Sequence, residues 1–405
     1  MLTSAQIDVI KATAPVVGAH ARDITECFYP LMFERYPAVA ELFNQTHQQK
    51  GTQRQALANA LVAYATHIDK LEALGDAVGL IAHKHVSLNI LPEHYPIVGE
   101  CLMEAIGQVL GDAVTPEIAD AWGAAYQQLA DILIGVEEQL YSTHAQRRGG
   151  WRGERQFVIE RIEPESEVIS SFYLMPVEGE RVIDFEPGQY IGLIVNVDGK
   201  SVRRNYSLSD APGKPGLRIS VKKELDGEVS GFLHNQAEIG DQVTVIAPAG
   251  DFTLPAQPER PLVFVTGGVG ITPAISMLNA YITNATQPVI FIHAAVNSRY
   301  HAFKSHLEDL AAQHPLLTNF VIYERPKVED RPDAEGYITR EILAGLLPQD
   351  KNVDLYFLGP LTFMNTVNSL CDELGLDASQ KHYEFFGPAE ALQSQASAAT
   401  EPAEA

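Results

Sequence analysis

In the stretch Ala82-His83-Lys84-His85-Val86-Ser87, the imidazole of His85 follows Leu74, Val78 and Ile81 at intervals of 4, 3 and 4 residues. That spacing puts all four side chains on one stripe of a helix, with His85 on the apolar face and His83 pointing roughly the other way. An imidazole so placed is either a core histidine hydrogen-bonded to a neighbour or the proximal ligand of a haem iron. A second chemical stretch is Gly268-Val269-Gly270-Ile271-Thr272-Pro273, which follows an apolar run at 262–265. Its glycines let the backbone approach a pyrophosphate, and the amino end of a following helix would supply N–H donors and a positive dipole end. Thr272 is expected to cap that helix and Pro273 to take its first position, with the helical run at 274–281. Proline replaces the third glycine of GxGxxG, so this differs from the dehydrogenase fingerprint. The third stretch is Arg204-Asn205-Tyr206-Ser207, preceded by Pro187-Gly188-Gln189-Tyr190. It offers a flat aromatic, a cation and a hydroxyl within a few positions, the groups an isoalloxazine ring and its phosphates require. The plain alternative is an ordinary strand with one exposed arginine.

These residues must be positioned by three kinds of element. From residue 3 to about 144 the apolar period is helical, with six or more helices expected in an all-α domain. Ser4 with Gln6 and Ile7 reads as a helix start, and Thr115-Pro116 as an N-cap followed by proline at the first helical position. Pro30 and Pro37 are expected to kink or end helices, and Pro92 with Pro96 marks a break and restart after the His85 segment. Residues 147–153 read as a linker. Beyond it the period falls to two at 156–162, 190–195, 217–221 and 242–246, which predicts a small antiparallel barrel. Buried parallel strands are then expected at 262–265, 289–293, 319–323 and 354–358, alternating with helices in a doubly wound α/β domain. The expected boundaries are 1–146 for the helical domain, 154–257 for the barrel, 258–392 for the α/β domain and 393–405 for a disordered tail.

The composition narrows the function classes. With 52 acidic and 29 basic residues among 405, the formal charge is −23. Such a surface repels nucleic acid and anionic lipid, so a phosphate-bearing ligand must be held by local cations or backbone amides. Cys27, Cys101 and Cys371 form no CxxC pair, which suits a reducing cytosol. The first residues lack a basic region followed by an apolar core, so a secretory signal is not expected. Residues 261–298 contain no Asp, Glu, Lys or Arg, yet Gly267, Gly268, Gly270 and Pro273 break the run. A strand, a loop, a helix and a second buried strand account for it better than a membrane span.

Order makes the motifs specific. Arg204 to Ser207, then Gly227-Glu228-Val229-Ser230, Ala249-Gly250-Asp251-Phe252, Gly268 to Pro273, and Gly359-Pro360 with Met364 resemble the ferredoxin-reductase superfamily. That resemblance implies FAD on the barrel and NADH or NADPH on the α/β domain. By it, Tyr190, Arg204, Asn205, Tyr206 and Ser207 hold FAD, as do Glu384, Phe385, Phe386, Gly387 and Pro388. Gly268, Val269, Gly270, Ile271, Thr272 and Pro273 hold the nicotinamide nucleotide. One departure is Leu358, where many relatives carry cysteine. A reductase module needs an electron acceptor, which favours the haem reading of His85 over the core one. The helical half resembles globins through Phe43 in Glu41-Leu42-Phe43-Asn44, with Tyr29 on the second helix and Gln53 and Leu57 one turn apart. Lys84, Tyr95 and Glu137 complete the match, and His47 and His67 are set aside as surface residues.

About residues 1 to 392 therefore resemble the flavohaemoglobins, the nitric oxide dioxygenases of bacteria and yeast. The resemblance implies haem b on His85, a hydrogen bond from Tyr29 assisted by Gln53 to iron-bound oxygen, and Leu57 limiting the volume beside it. Tyr95 and Glu137 are expected to back His85, with Glu138 as the alternative carboxylate. O2 and NO are the expected small-molecule partners of a monomeric, cytoplasmic protein without nucleic-acid or integral membrane contact. Ser298 and Arg299 could hold a ribose phosphate, which favours NADPH over NADH. The rival classes are a haem-based gas sensor and a flavin reductase serving an external acceptor.

Overall fold

The computed structural model describes residues 2–43, 52–178 and 181–386, with residues 52–56 given as helix backbone. Its first helix, α1 (Ser4–Ala19), starts at Ser4 as expected and is capped by Thr3 through a reciprocal capping box with Gln6. Then follow α2 (Ala21–Arg35), α3 (Pro37–Ala40), α4 (Thr52–Thr66), α5 (Gly75–Ser87), α6 (His94–Leu110) and α7 (Pro116–Gln146). Pro30 lies inside α2 and does not end it. Thr115 caps α7 by accepting the Ile118 N–H at 3.3 Å, with Pro116 at the first position as expected. Ile10, Ile24, Phe28, Met32 and Leu102 form the fully buried centre of this domain. Beyond α5 the chain turns sharply, with Asn89 at φ 58, and Pro96 lies in the first turn of α6.

The second domain is a six-stranded antiparallel sheet of β1 (Glu154–Pro164), β2 (Ile169–Pro176), β3 (Tyr190–Val197), β4 (Lys200–Ser207), β5 (Leu217–Lys222) and β6 (Gln242–Ala249). Its order is β4-β3-β6-β1-β2-β5, and a Leu208–Ile219 bridge ties the two edges together. One short helix, α8 (Glu228–Asn235), follows β5. Phe157, Ile159, Phe172, Leu193 and Val245 fill the interior. The strand period of two sends Arg203 and Asn205 to one face of β4 and Arg204 and Tyr206 to the other.

The third domain has strand order β10-β9-β8-β7-β11-β12, and every pairing is parallel. Its strands are β7 (Leu262–Gly267), β8 (Val289–Ala295), β9 (Leu317–Tyr323), β10 (Ala334–Glu335), β11 (Asp354–Leu358) and β12 (Lys381–Tyr383). The helices are α9 (Ile271–Tyr281), α10 (Lys304–Gln313), α11 (Arg340–Leu346) and α12 (Leu361–Leu374). Helix α9 begins three residues earlier than expected. Gly270 is its N-cap, and Thr272 instead donates to the Val269 carbonyl at 3.1 Å. Pro273 therefore sits third in the helix, where a missing N–H still costs nothing.

The domains meet through side chains that position the candidate chemistry. The end of α5 rests on the barrel so closely that a Cβ at Gly192 would lie 2.1 Å from the Ser87 carbonyl oxygen. Asn205 Nδ2 donates to Ser87 Oγ at 2.9 Å, Arg203 Nη1 to the Leu88 carbonyl at 2.6 Å, and the Gly250 N–H to His83 Nδ1 at 3.0 Å. Val86, Tyr141, Tyr190 and Ala249 bury one another between the two domains. Each large side chain so buried stabilises the junction by roughly 1.5–3 kcal/mol. Across the other boundary, Ser276 and Asn279 of α9 donate to Asp210 of the barrel at 2.7 and 3.1 Å.

Candidate active site

On α5, Val78 and Ile81 pack with Tyr95, Ala130 and Leu133, which turns the His85 ring into the helical domain. Its Nδ1 lies 2.7 Å from Glu137 Oε1 and 3.0 Å from the Tyr95 hydroxyl, and that hydroxyl donates to the same carboxylate oxygen at 2.5 Å. A carboxylate can only accept, so Nδ1 carries the proton and faces Glu137. Glu137 is 2% exposed, and these two donors are what satisfy its buried oxygen. Among the described residues Nε2 of His85 has no hydrogen-bond partner, while about a third of the side chain stays accessible. A core histidine would use both nitrogens or be enclosed. One nitrogen oriented by a buried carboxylate and the other left open is the donor set of an iron-ligating imidazole. The alternative carboxylate, Glu138, is occupied elsewhere: Arg152 grips both its oxygens at 2.7 and 2.6 Å and draws its carboxyl down to about 2.

Tyr29 is buried, with its ring 4.8 Å from Phe28, 5.7 Å from Phe33 and 5.8 Å from Phe43. Phe33 and Phe43 in turn pack at 5.3 Å, so Phe43 belongs to an aromatic wall shared with Tyr29. Leu57, on α4, packs against the same core. The Gln53 side chain and His47 lie outside the described residues. His67, just past the end of α4, pairs its Nδ1 with the Ala63 carbonyl of that helix at 3.0 Å.

A second group of chemical residues gathers where α5 meets the barrel. Lys84 Nζ sits 4.7 Å over the ring of Tyr190, whose hydroxyl burial holds well above its ordinary range. Burial also pushes the Glu384 carboxyl up to about 7, against the pull of Lys84, and Lys84 is itself lowered by burial. Gly250, at φ 114, lets the backbone pass beneath Tyr190, because a Cβ there would come within 2.8 Å of the ring. On the face of β4 that it shares with Leu193 and the barrel core, Arg204 donates to the Arg203 carbonyl at 2.8 Å and stands 3.7 Å from Glu228 at the start of α8. Tyr206 and Ser207 follow, the serine being buried. An aromatic face, a cation and a helix amino end thus converge where a flavin and its phosphates fit. The Asn205 side chain does not join them, because it faces Ser87 of the helical domain.

The glycine stretch lies between β7 and α9. Gly268 takes φ 54, a backbone conformation that favours glycine, and a Cβ at Gly270 would lie 2.5 Å from the Leu358 carbonyl, so the crossing with β11 requires Gly270. Val269 and Ile271 anchor the turn against the domain core. This is the crevice at the carboxyl ends of β7 and β11, where the strand order reverses and open parallel sheets bind nucleotides. Phe385 packs against the same sheet with its ring 5.7 Å from that of Tyr383, and Phe386 is exposed. Gly387 and Pro388 lie outside the described residues. Arg299 pairs with Glu167 of the barrel at 3.1 Å, and Asp330 accepts the Ser298 N–H at 3.2 Å. Glu167, Asp330 and Arg203 escaped the sequence reading, because each acts through a partner more than thirty residues away or across a domain boundary.

Three family descriptions match the chain in the order of its domains: globin over residues 26–133, oxidoreductase FAD-binding domain over 156–254 and oxidoreductase NAD-binding domain over 264–369. The chain is 50% identical over 393 residues to a flavohemoprotein of Pseudomonas aeruginosa and 51% identical over 394 residues to one of Pseudomonas putida. Each match covers 97% of this chain and 100% of the relative. The crystal structure of flavohemoglobin from Malassezia yamatoensis, with bound FAD and heme, superposes with a TM-score of 0.86 at 26% identity. It covers 95% of this chain and 100% of that one. The FAD/NAD-binding domain of nitric oxide dioxygenase from Vibrio cholerae is 36% identical, with a TM-score of 0.54 over 58% of this chain and 99% of that one. A helical domain built around His85, an antiparallel barrel and a parallel nucleotide sheet thus share their order, extent and fold with these proteins, and the chain belongs to the flavohemoprotein family.

Proposed function

We propose that the protein is a nitric oxide dioxygenase that converts NAD(P)H, two O2 and two NO into NAD(P)+, a proton and two nitrate ions. The observation that carries this reading is the buried Glu137 carboxylate on His85 Nδ1. Haem on His85 supplies the oxygen-activating iron, and FAD splits the two-electron oxidation of the nucleotide into single electrons. Glu137 makes the imidazole a stronger electron donor, which favours activation of oxygen over its storage. Tyr95 fixes the carboxylate by donating to the same oxygen. The Tyr29 O–H serves as the donor toward developing negative charge on oxygen, with Gln53 assisting and Leu57 limiting the space. Lys84, Tyr190 and Glu384 lie between the iron ligand's helix and the barrel, where they set the polarity of the electron route.

In this reading the nucleotide binds across Gly268 to Pro273, with Ser298 and Arg299 near the adenosine ribose, where they favour NADPH over NADH. The nitric oxide dioxygenase named for Vibrio cholerae supports the assignment by its likeness to the reductase half. In this reading the protein acts as a cytoplasmic monomer; no described helix is long and apolar enough to cross a membrane. His85→Ala tests the site. Nitric oxide consumption should vanish while NAD(P)H oxidation by an artificial acceptor survives, and normal nitric oxide consumption would disprove the role of His85.

A further inference from the structure

Arg203 belongs to the barrel, yet its guanidinium reaches into the globin domain. Nη1 donates at 2.6 Å to the carbonyl of Leu88, one helical turn beyond His85. Its Nε is buried and has no hydrogen-bond partner. Among the described residues no carboxylate comes within ion-pairing distance of the group. Its electrostatic neighbours are Glu41, two residues before Phe43, Glu154 at the start of β1, and His94, beside Tyr95. The guanidinium thus sits against the end of the helix that carries His85, with Glu41 of the Phe43 segment within electrostatic reach.

A buried guanidinium keeps its charge, and one backbone carbonyl is a thin partner for a group with five donors in a planar fork. That fork matches a carboxylate, and the carboxylates a haem brings to this pocket are its two propionates. From this we infer that Arg203, a residue of the flavin domain, binds a haem propionate, so that haem helps to fasten the globin domain to the barrel. The inference rests on the reading of His85 as the iron ligand.

The test uses full-length protein loaded either with protohaem or with its dimethyl ester, which lacks both negative charges. Release to an excess of a scavenging apoglobin is followed by the Soret band. Arg203→Gln should speed protohaem release by about tenfold or more, the usual consequence of losing one charge-assisted hydrogen bond. Release of the ester should be the same from Arg203→Gln and wild type, and Arg203→Lys should recover part of the protohaem effect. Asn205→Ala removes a neighbouring contact to α5 without removing charge, and should release both haems like wild type. If Arg203→Gln accelerates both haems equally, Arg203 merely braces α5 and the inference fails. It fails also if protohaem release is unchanged, or if wild type releases ester and protohaem at the same rate, a comparison that needs no variant to fold. Wild type that takes up no haem would instead overturn the His85 reading itself.

Discussion

Replacing Glu137 by glutamine keeps the shape of the side chain and removes its charge. In the structure a single carboxylate oxygen accepts from His85 Nδ1 at 2.7 Å and from the Tyr95 hydroxyl at 2.5 Å, in a site only 2% exposed. Hydrogen bonds to charged groups contribute about 1.5–3 kcal/mol. If most of that is felt as stabilisation of the more oxidised, more positive iron, its loss raises the one-electron potential by roughly 60–130 mV, at 59 mV per tenfold change in equilibrium. Tyr95→Phe should move the potential the opposite way. Its hydroxyl competes for the charge of Glu137, and removing it leaves more of that charge to His85. Spectroelectrochemical titration of the haem in both variants checks the pair of signs. An unchanged potential in Glu137→Gln, or shifts of the same sign in both variants, would refute the argument that Glu137 tunes the iron through His85.

Gly192→Ala should weaken the seat of α5 on the barrel, because its Cβ would meet the Ser87 carbonyl at 2.1 Å. A loss of about 1–3 kcal/mol is expected by denaturant unfolding, with haem reduction by NADH slowed more than flavin reduction in stopped flow. Equal effects on both steps would contradict the docking role of this glycine. Glu167→Gln frees Arg299 from its 3.1 Å ion pair and should lower KM for NADPH more than for NADH, as read from steady-state reduction of an artificial acceptor. Glu384 has a pKa raised by burial to about 7 from an ordinary 4.5, so the folded state binds the proton more tightly than the unfolded chain. Its carboxyl therefore makes stability fall as pH rises from about 4.5 to about 7. Thermal melts of Glu384→Gln should be flatter than wild type across that window, and identical profiles would show that Glu384 is not the group responsible.

Much of this architecture is legible in the chain because periodicity reports burial directly. The strand at 354–358 is found as read, and the His85 stripe lies on a helix whose opposite side, through His83, meets the barrel. Strand β4 is less visible, since Lys200, Arg203, Arg204 and Asn205 make a polar run whose partners belong to other domains. The start of α9 is misplaced for a local reason: Thr272 and Pro273 look like a cap and a first position, but the glycines permit one tight turn earlier, and Gly270 takes over as the cap. Glu137 and Glu138 are indistinguishable by residue type. What separates them is a rotation of 100° per residue along α7, which sends one carboxylate to His85 and the other to Arg152. Arg203 could not have been singled out at all, since its partner Leu88 lies 115 positions away in another domain.

Nitric oxide dioxygenase activity is measured by mixing the haem- and FAD-loaded protein with NADPH or NADH in oxygenated buffer, adding nitric oxide, and counting products. A burst of nucleotide oxidation is expected to begin with nitric oxide and stop when it is spent, with one nucleotide oxidised and two nitrate ions formed for every two nitric oxide molecules. Nucleotide oxidation indifferent to nitric oxide, or nitric oxide consumed without nitrate, would contradict it.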